Sequence, residues 1–314
     1  MRLLLLAMLC APAWAAPKTL PVGPQARWTP PAGFLDEART ACLGAVKDQA
    51  GCFAKRMRKA GAPEAAAAFA ARLPQPGWLS EYRTLGERIG AAYAVYPFRA
   101  NENSVCLLVN GTPPRIDIDE DALKPGELES DPDFVLLPSS GAAPALWPGD
   151  RTYKAPLSIQ SSPAGGERLV FLYRLSAGCR ACTDVGAAWI GFDFDRKGRF
   201  QGRRLLRVDP LGAFTDPAAP LRAKVGGEVR VRLPSDQASG SRWKLEGQPD
   251  WTLLRQTASD YLPPSGRQAS GMEVWAFQAL KSGTTELRFR YERILEPDKD
   301  AEAKTALFRV EVSG

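Results

Sequence analysis

Three short stretches of this 314-residue chain bring reactive side chains close together. Cys179-Arg180-Ala181-Cys182 directly follows the apolar run Arg168–Leu175 (RLVFLYRL), where a thiol–disulfide exchanging pair would sit. That chemistry needs a long helix behind the second cysteine, to lower the pKa of a thiol. Thr183–Gly186 is too short for one before Trp189 opens another strand-like run. The pair therefore reads as a structural disulfide across a tight turn, and a zinc site would need two further ligands at matching spacing, which the sequence lacks. The run Asp117, Asp119, Glu120, Asp121 could hold a cation or exchange protons, but such runs ordinarily form a solvated strand end. Asp193-Phe194-Asp195-Arg196-Lys197-Gly198 begins like a calcium loop. Its fifth position is Lys197 and its twelfth would be Arg204, cations where carboxylate ligands belong, so it reads as a β-hairpin. The chain has no histidine at all. That removes Ser-His-Asp and Cys-His catalysis and every imidazole-bound zinc site. No catalytic residue, metal or cofactor is expected.

The elements that would position these groups fall into two halves. Phe34–Leu73 reads as helical: Phe34, Leu35, Ala38, Cys42 and Val46 recur at helical spacing, and Ala65–Ala71 is rich in the best helix former. Gly51 and Gly61 look like breaks, and Pro63 suits the start of a third helix. Cys42 and Cys52 would then lie on neighbouring helices, close enough for a disulfide. Strand-like runs follow at Arg88–Phe98, Ser104–Val109 and Arg115–Ile118, a loose stretch at Asp119–Gly166, and then Arg168–Leu175, Trp189–Asp195 and Arg199–Val208. Cys106, inside an apolar run, is expected to be a buried free thiol. The expectation is an α+β domain over 16–208, a helical hairpin followed by an antiparallel sheet. A proline-rich linker is expected at 209–220 and a second domain at 221–314.

The second half alternates with period two, as antiparallel strands with one wet face do. Val229, Val231 and Leu233 alternate with Glu228, Arg230 and Arg232. Leu287, Phe289 and Tyr291 alternate with Glu286, Arg288 and Arg290, and Phe308, Val310 and Val312 also share a face. An all-β two-sheet sandwich is the natural closure. Its arginines read as a solvated basic face, and paired strands could gather them into one patch. Trp243, Trp275 and Tyr291 read as core.

The chain ends and charge bound the setting. Met1-Arg2, the apolar run Leu3–Ala11 and the small-x-small pattern Ala13-Trp14-Ala15 form a secretory signal cut after Ala15, residues 1–15. The protein is expected to be exported, periplasmic or secreted. No later stretch reaches the roughly 20 apolar residues of a membrane span. The formal charge of +6 is a modest excess spread along the chain, with no nucleic-acid signature.

The order of segments in the second half resembles the chagasin family of cysteine protease inhibitors. The matching pieces are Val225–Trp243 (VGGEVRVRLPSDQASGSRW), Asp260–Pro264 (DYLPP), the Gly-bearing loop before Met272–Phe277 (MEVWAF), Ser282–Arg293 (SGTTELRFRYER) and Phe308–Val312 (FRVEV). The resemblance implies an immunoglobulin-like sandwich whose three loops at one end fill the cleft of a papain-like cysteine protease, with no catalytic group of its own. It places the first loop at Asp236, Gln237, Ala238, Ser239 and Gly240, with Trp243 as core anchor. Gly240 and Trp243 match the family, Ser239 keeps a hydroxyl, and Gln237 and Ala238 replace proline and threonine. The second loop is Arg267 with Gln268, Ala269, Ser270 and Gly271. In the third, Arg293 matches the family's arginine, while Ile294 and Leu295 replace proline and an aromatic residue. The implied partner is a papain-like protease. The alternative is an envelope or secreted binding protein that carries the sandwich as an auxiliary module without inhibitory activity.

Overall fold

The computed structural model describes residues 21–44, 47–100, 103–138, 143–148, 156–163, 165–265, 270–294 and 304–314. The signal segment 1–15 lies outside the described residues, as do Arg267, Gln268, Ala269 and Leu295. The chain forms two compact units, one of residues up to Thr84 together with Ala92–Asn103, the other of Leu85–Ala91 and Ser104–Gly314.

In the first unit, α1 (Phe34–Cys42), α2 (Gln49–Lys59) and α3 (Glu64–Ala70) bury Phe34, Ala38, Phe53, Met57 and Ala67 against one another. Gly51 is not the break expected. It lies inside α2, because Asp48 caps that helix by accepting from the Gly51 N–H at 2.8 Å, and the break falls before Asp48. Gly61 does follow the end of α2, in the left-handed conformation (φ +81°). A Cys42–Cys52 disulfide ties α1 to α2. β1 (Trp78–Thr84) and β2 (Gly90–Val95) follow.

The second unit starts with β3 (Ser104–Val109) and β4 (Arg115–Asp117), paired antiparallel. Cys106 on β3 is a buried free thiol whose pKa burial drives far above the ordinary value. The stretch that looked loose, Asp119–Gly166, contains 3-10 turns at Pro125–Ser130 and Pro132–Leu136 and two four-residue strands, β5 (Ala145–Pro148) and β6 (Ser158–Ser161). Elements that short show no periodicity. Both strands pair with β7 (Glu167–Ser176), which continues into β8 (Asp184–Phe194) and β9 (Phe200–Pro210). The β8–β9 turn is the expected hairpin. Asp195 Oδ1 accepts from the Lys197 and Arg199 N–H groups, while buried Asp193 is ion-paired to Arg168 and Arg204 rather than free for a cation. The Cys179–Cys182 disulfide lies in the β7–β8 turn, with no helix behind it. β9 runs on through Asp209 and Pro210, and Leu211 is buried.

The remaining strands are β10 (Leu221–Lys224), β11 (Glu228–Ser235), β12 (Ser241–Glu246), β13 (Leu254–Leu262), β14 (Gly271–Ala279), β15 (Gly283–Arg293) and β16 (Thr305–Ser313). They form two sheets, β10-β16-β15-β12 and β11-β14-β13. Between the sheets lie Val231, Trp243, Phe277, Leu287, Phe289 and Phe308, with Trp275 and Tyr291 packed against them. Each fully buried side chain of this size contributes about 1.5–3 kcal/mol by leaving water.

The arginines of β11 are not solvated. Arg230 donates to Asp131 (3.1 and 3.2 Å) and Asp133 (2.6 Å), and its side chain is only 13% exposed. Arg232 bonds Asp133 and lies 3.5 Å from Asp209. Arg207 bridges Asp209 (2.8 Å) and Asp260 (2.5 Å). Burial alone would lower the pKa values of Arg230 and Arg207, but the adjoining carboxylates outweigh it and raise both. Apolar contacts of Leu262, Met272 and Val274 with Ala187 and Leu211 complete this junction. Alternation told which face each arginine takes, but not that another layer covers that face. Arg288 and Arg290 are exposed on the other sheet, so no joint patch forms. Among the described residues, no helix is long and apolar enough to cross a membrane.

Candidate functional site

Strand register decides which turns meet. Ser235, the last residue of β11, pairs with Gly271, the first of β14. Ser241, the first of β12, pairs with Arg293, the last of β15. The turn from β11 to β12, the connection entering β14 and the chain leaving β15 therefore share one end of the sandwich. Of the expected contact residues, Asp236, Gln237, Ala238, Ser239, Gly240, Ser270, Gly271, Arg293 and Ile294 lie at this tip; Gln268, Ala269 and Leu295 are outside the described residues.

The first turn is a single 3-10 turn, Gln237–Ser239. Ser239 Oγ donates to the Asp236 carbonyl at 2.7 Å, and the Gly240 N–H donates to the Gln237 carbonyl at 3.0 Å. Gly240 closes it at φ +76°, a conformation costly for any residue with a Cβ. Asp236 to Ser239 are all exposed. The Ile294 N–H donates to the Gly240 carbonyl at 2.9 Å, tying the third segment to the first, and Ile294 itself is 49% exposed.

Beneath the tip lies a layer that motif reading passed over. Glu273 Oε1 accepts from Ser235 Oγ at 2.6 Å and from the Trp243 N–H at 3.0 Å, so one buried carboxylate holds both stems of the first turn. The Trp243 indole N–H donates to the Pro234 carbonyl at 2.8 Å. The Tyr291 hydroxyl accepts from the Asp236 N–H at 2.9 Å. Burial, aided by the charge of Asp236, raises the pKa of Tyr261 despite an opposing hydrogen bond from the Gln237 backbone, so its phenol stays neutral. A Cβ on Gly271 would stand 2.5 Å from both the Leu262 carbonyl and the Tyr261 hydroxyl, so only glycine fits there. The available signal was Glu273 itself, an acid inside the otherwise apolar MEVWAF.

In the acidic run, Asp117 Oδ1 accepts from the Asp119 N–H at 3.0 Å, closing a turn. Among the described residues no cluster of metal-ligating side chains occurs.

Residues 222–312 match the model of the Chagasin family peptidase inhibitor I42, a span that takes in the strands β10 to β16. This C-terminal part is a chagasin-like β-sandwich. Among solved structures, the chain is similar to the cysteine protease inhibitor EhICP2 from Entamoeba histolytica, with 17% identity over 30% of this chain and 86% of that one, TM-score 0.26. Amebosin is similar with 17% identity over 30% of this chain and 89% of its own, TM-score 0.25. An endo-fucoidan hydrolase of glycoside hydrolase family 107 is similar at 10% identity over 75% of this chain and 39% of its own, TM-score 0.20. No curated protein matches the chain.

Proposed function

We propose that this chain is an exported, non-enzymatic, reversible inhibitor of papain-like cysteine proteases. The tip of its C-terminal sandwich, immunoglobulin-like in architecture, would enter the protease cleft. The observation that carries the reading is the gathering of the Asp236–Gly240 turn, the Ser270–Gly271 entry to β14 and the Arg293–Ile294 exit from β15 at one end of a chagasin-like sandwich.

A wedge suits this task on physical grounds. Turns fixed to a rigid sheet lose little entropy on docking. The Asp236 and Ile294 N–H bonds and the Glu273 pair already hold these turns before a partner arrives. An interface of standard size, roughly 1,600 Å², can bind tightly without presenting a peptide bond in line for attack. Ser239 offers a hydroxyl to the protease centre and Ile294 an apolar side chain to a subsite, in place of the family's larger groups. The prediction is competitive inhibition of papain by the chain lacking residues 1–15, at micromolar affinity or better, which is about −8 kcal/mol. No inhibition at tens of micromolar would overturn the proposal.

A further inference from the structure

The tip has a neighbour at its own end of the unit. Arg207, the register partner of Trp189 in β8, reaches Asp260 of β13 at 2.5 Å. Five residues on in each segment, from Trp189 back to Asp184 and from Asp260 past the end of β13 to Ser265, the Asp184 N–H donates to Ser265 Oγ at 3.1 Å. Between these two levels, Ala187 packs in one cluster with Leu262 and Met272. Three contacts in the same order mean that the strands lead outward in the same sense. Ser265 precedes Ser270 and Gly271 of the tip in sequence, and Asp184 follows directly on the β7–β8 turn, Ala177–Thr183.

We infer that this disulfide-braced β7–β8 turn is a fourth contact element, which meets the rim of the same cysteine protease that the tip enters. The inference rests on the inhibitor reading above and adds a specificity-determining edge to it. Three residues span at most about 10 Å even fully extended, so Ala181 stands within roughly 10 Å of the Asp184–Ser265 bond. That keeps the turn close enough to the tip to meet the shoulder of a cleft that seats it. The turn is already ordered. The Cys179–Cys182 bond spans it, the Cys182 N–H donates to the Cys179 carbonyl at 3.0 Å, and Arg174 Nη2 donates to the Arg180 carbonyl at 3.1 Å. The Arg180 guanidinium lies 5.7 Å from the Trp147 ring centroid, over its face. The exposed residues, Gly178, Cys179, Ala181 and Thr183, are small and uncharged. Such an edge selects for a flat protease rim and against a bulky or steep one.

The test compares the full chain lacking residues 1–15 with its Ala181→Trp and Ser239→Trp variants, using papain as the probe. Amide hydrogen exchange is followed with and without the protease. The expected result is inhibition weakened tenfold or more by Ala181→Trp at an unchanged melting temperature, with exchange slowed over 178–183 on binding. An Ala181→Trp inhibition constant within twofold of the parent and no protection of 178–183, while Ser239→Trp still weakens binding, overturns this inference and leaves the tip reading standing. A parent that does not inhibit papain at all overturns both.

Discussion

Replacing Glu273 tests whether the tip is held from below. The Ser235 hydroxyl and the Trp243 N–H converge on one oxygen, Oε1, of this buried carboxylate. Glu273→Ala strands both donors, and a buried group left without its partner costs about 1–3 kcal/mol. The sum is about 2–6 kcal/mol. For a unit of this size a kilocalorie moves the melting temperature by about 2–4 °C, so the shift should be on the order of 5–20 °C. Glu273→Gln keeps an oxygen at the same position, satisfies both donors and loses only the charge, for about 1 kcal/mol. The functional readout follows from the same geometry. Ser235 and Trp243 flank the first turn, so freeing them lets Asp236–Ser239 wander and restores an ordering cost of about 0.5–1.5 kcal/mol per side chain on binding. Across Asp236, Gln237 and Ser239 that totals about 1.5–4.5 kcal/mol, so the alanine variant, assayed well below its melting point, should inhibit papain about tenfold to two-thousandfold more weakly. The glutamine variant should stay within a few-fold of the parent. Equal damage from both substitutions would refute the shared-oxygen argument. An alanine variant that melts lower but inhibits undiminished would refute the link between this layer and the tip.

Asp131→Ala should destabilise the second unit by about 3–5 kcal/mol in denaturant titration, because it leaves Arg230 and the buried Val208 N–H short of a partner. A loss below about 1 kcal/mol would mean this ion-pair seam is not tightly made. Gly240→Ala meets no atom within 4 Å but must hold φ +76°, so it should cost about 1–2 kcal/mol and weaken inhibition. An unchanged melting curve and inhibition constant would show that the turn tolerates another conformation. Serine at both Cys42 and Cys52 should remove about 3 kcal/mol from the first unit without altering inhibition, as read by a thermal scan and a papain assay run in parallel.

Where burial alternates cleanly, the fold was legible from the residues. Val229, Val231 and Leu233 face the core as their spacing required, and Phe289 and Phe308 do likewise. The CxxC pair could be read as structural because too few residues separate Cys182 from Trp189 for a helix. Legibility failed where the deciding partner is distant in sequence. Arg230 and Arg232 look like surface residues until Asp131 and Asp133 arrive from about a hundred residues earlier. Glu273 looks like an interruption of MEVWAF until Ser235 and Trp243 are seen to converge on it. Gly51 misled because glycine weakens a helix, yet its N–H serves the Asp48 cap as well as any other. At the candidate site, the segments forming the tip were named from resemblance, whereas the layer that stiffens it is set by contacts between residues far apart in sequence.

The covered face of the β11-β14-β13 sheet bears on any attempt to use the inhibitor as a minimal fragment. A chain begun near residue 210 would keep all seven strands of the sandwich, but Arg230 and Arg232 would lose Asp131, Asp133 and Asp209. Leu262, Met272 and Val274 would come out from under Ala187. Water can resolvate the two cations; it cannot do the same for the apolar strip between them and the tip. The inhibition by such a fragment has to be read beside its oligomeric state, since self-association through that strip would lower the apparent affinity as much as a poor fit at the turns.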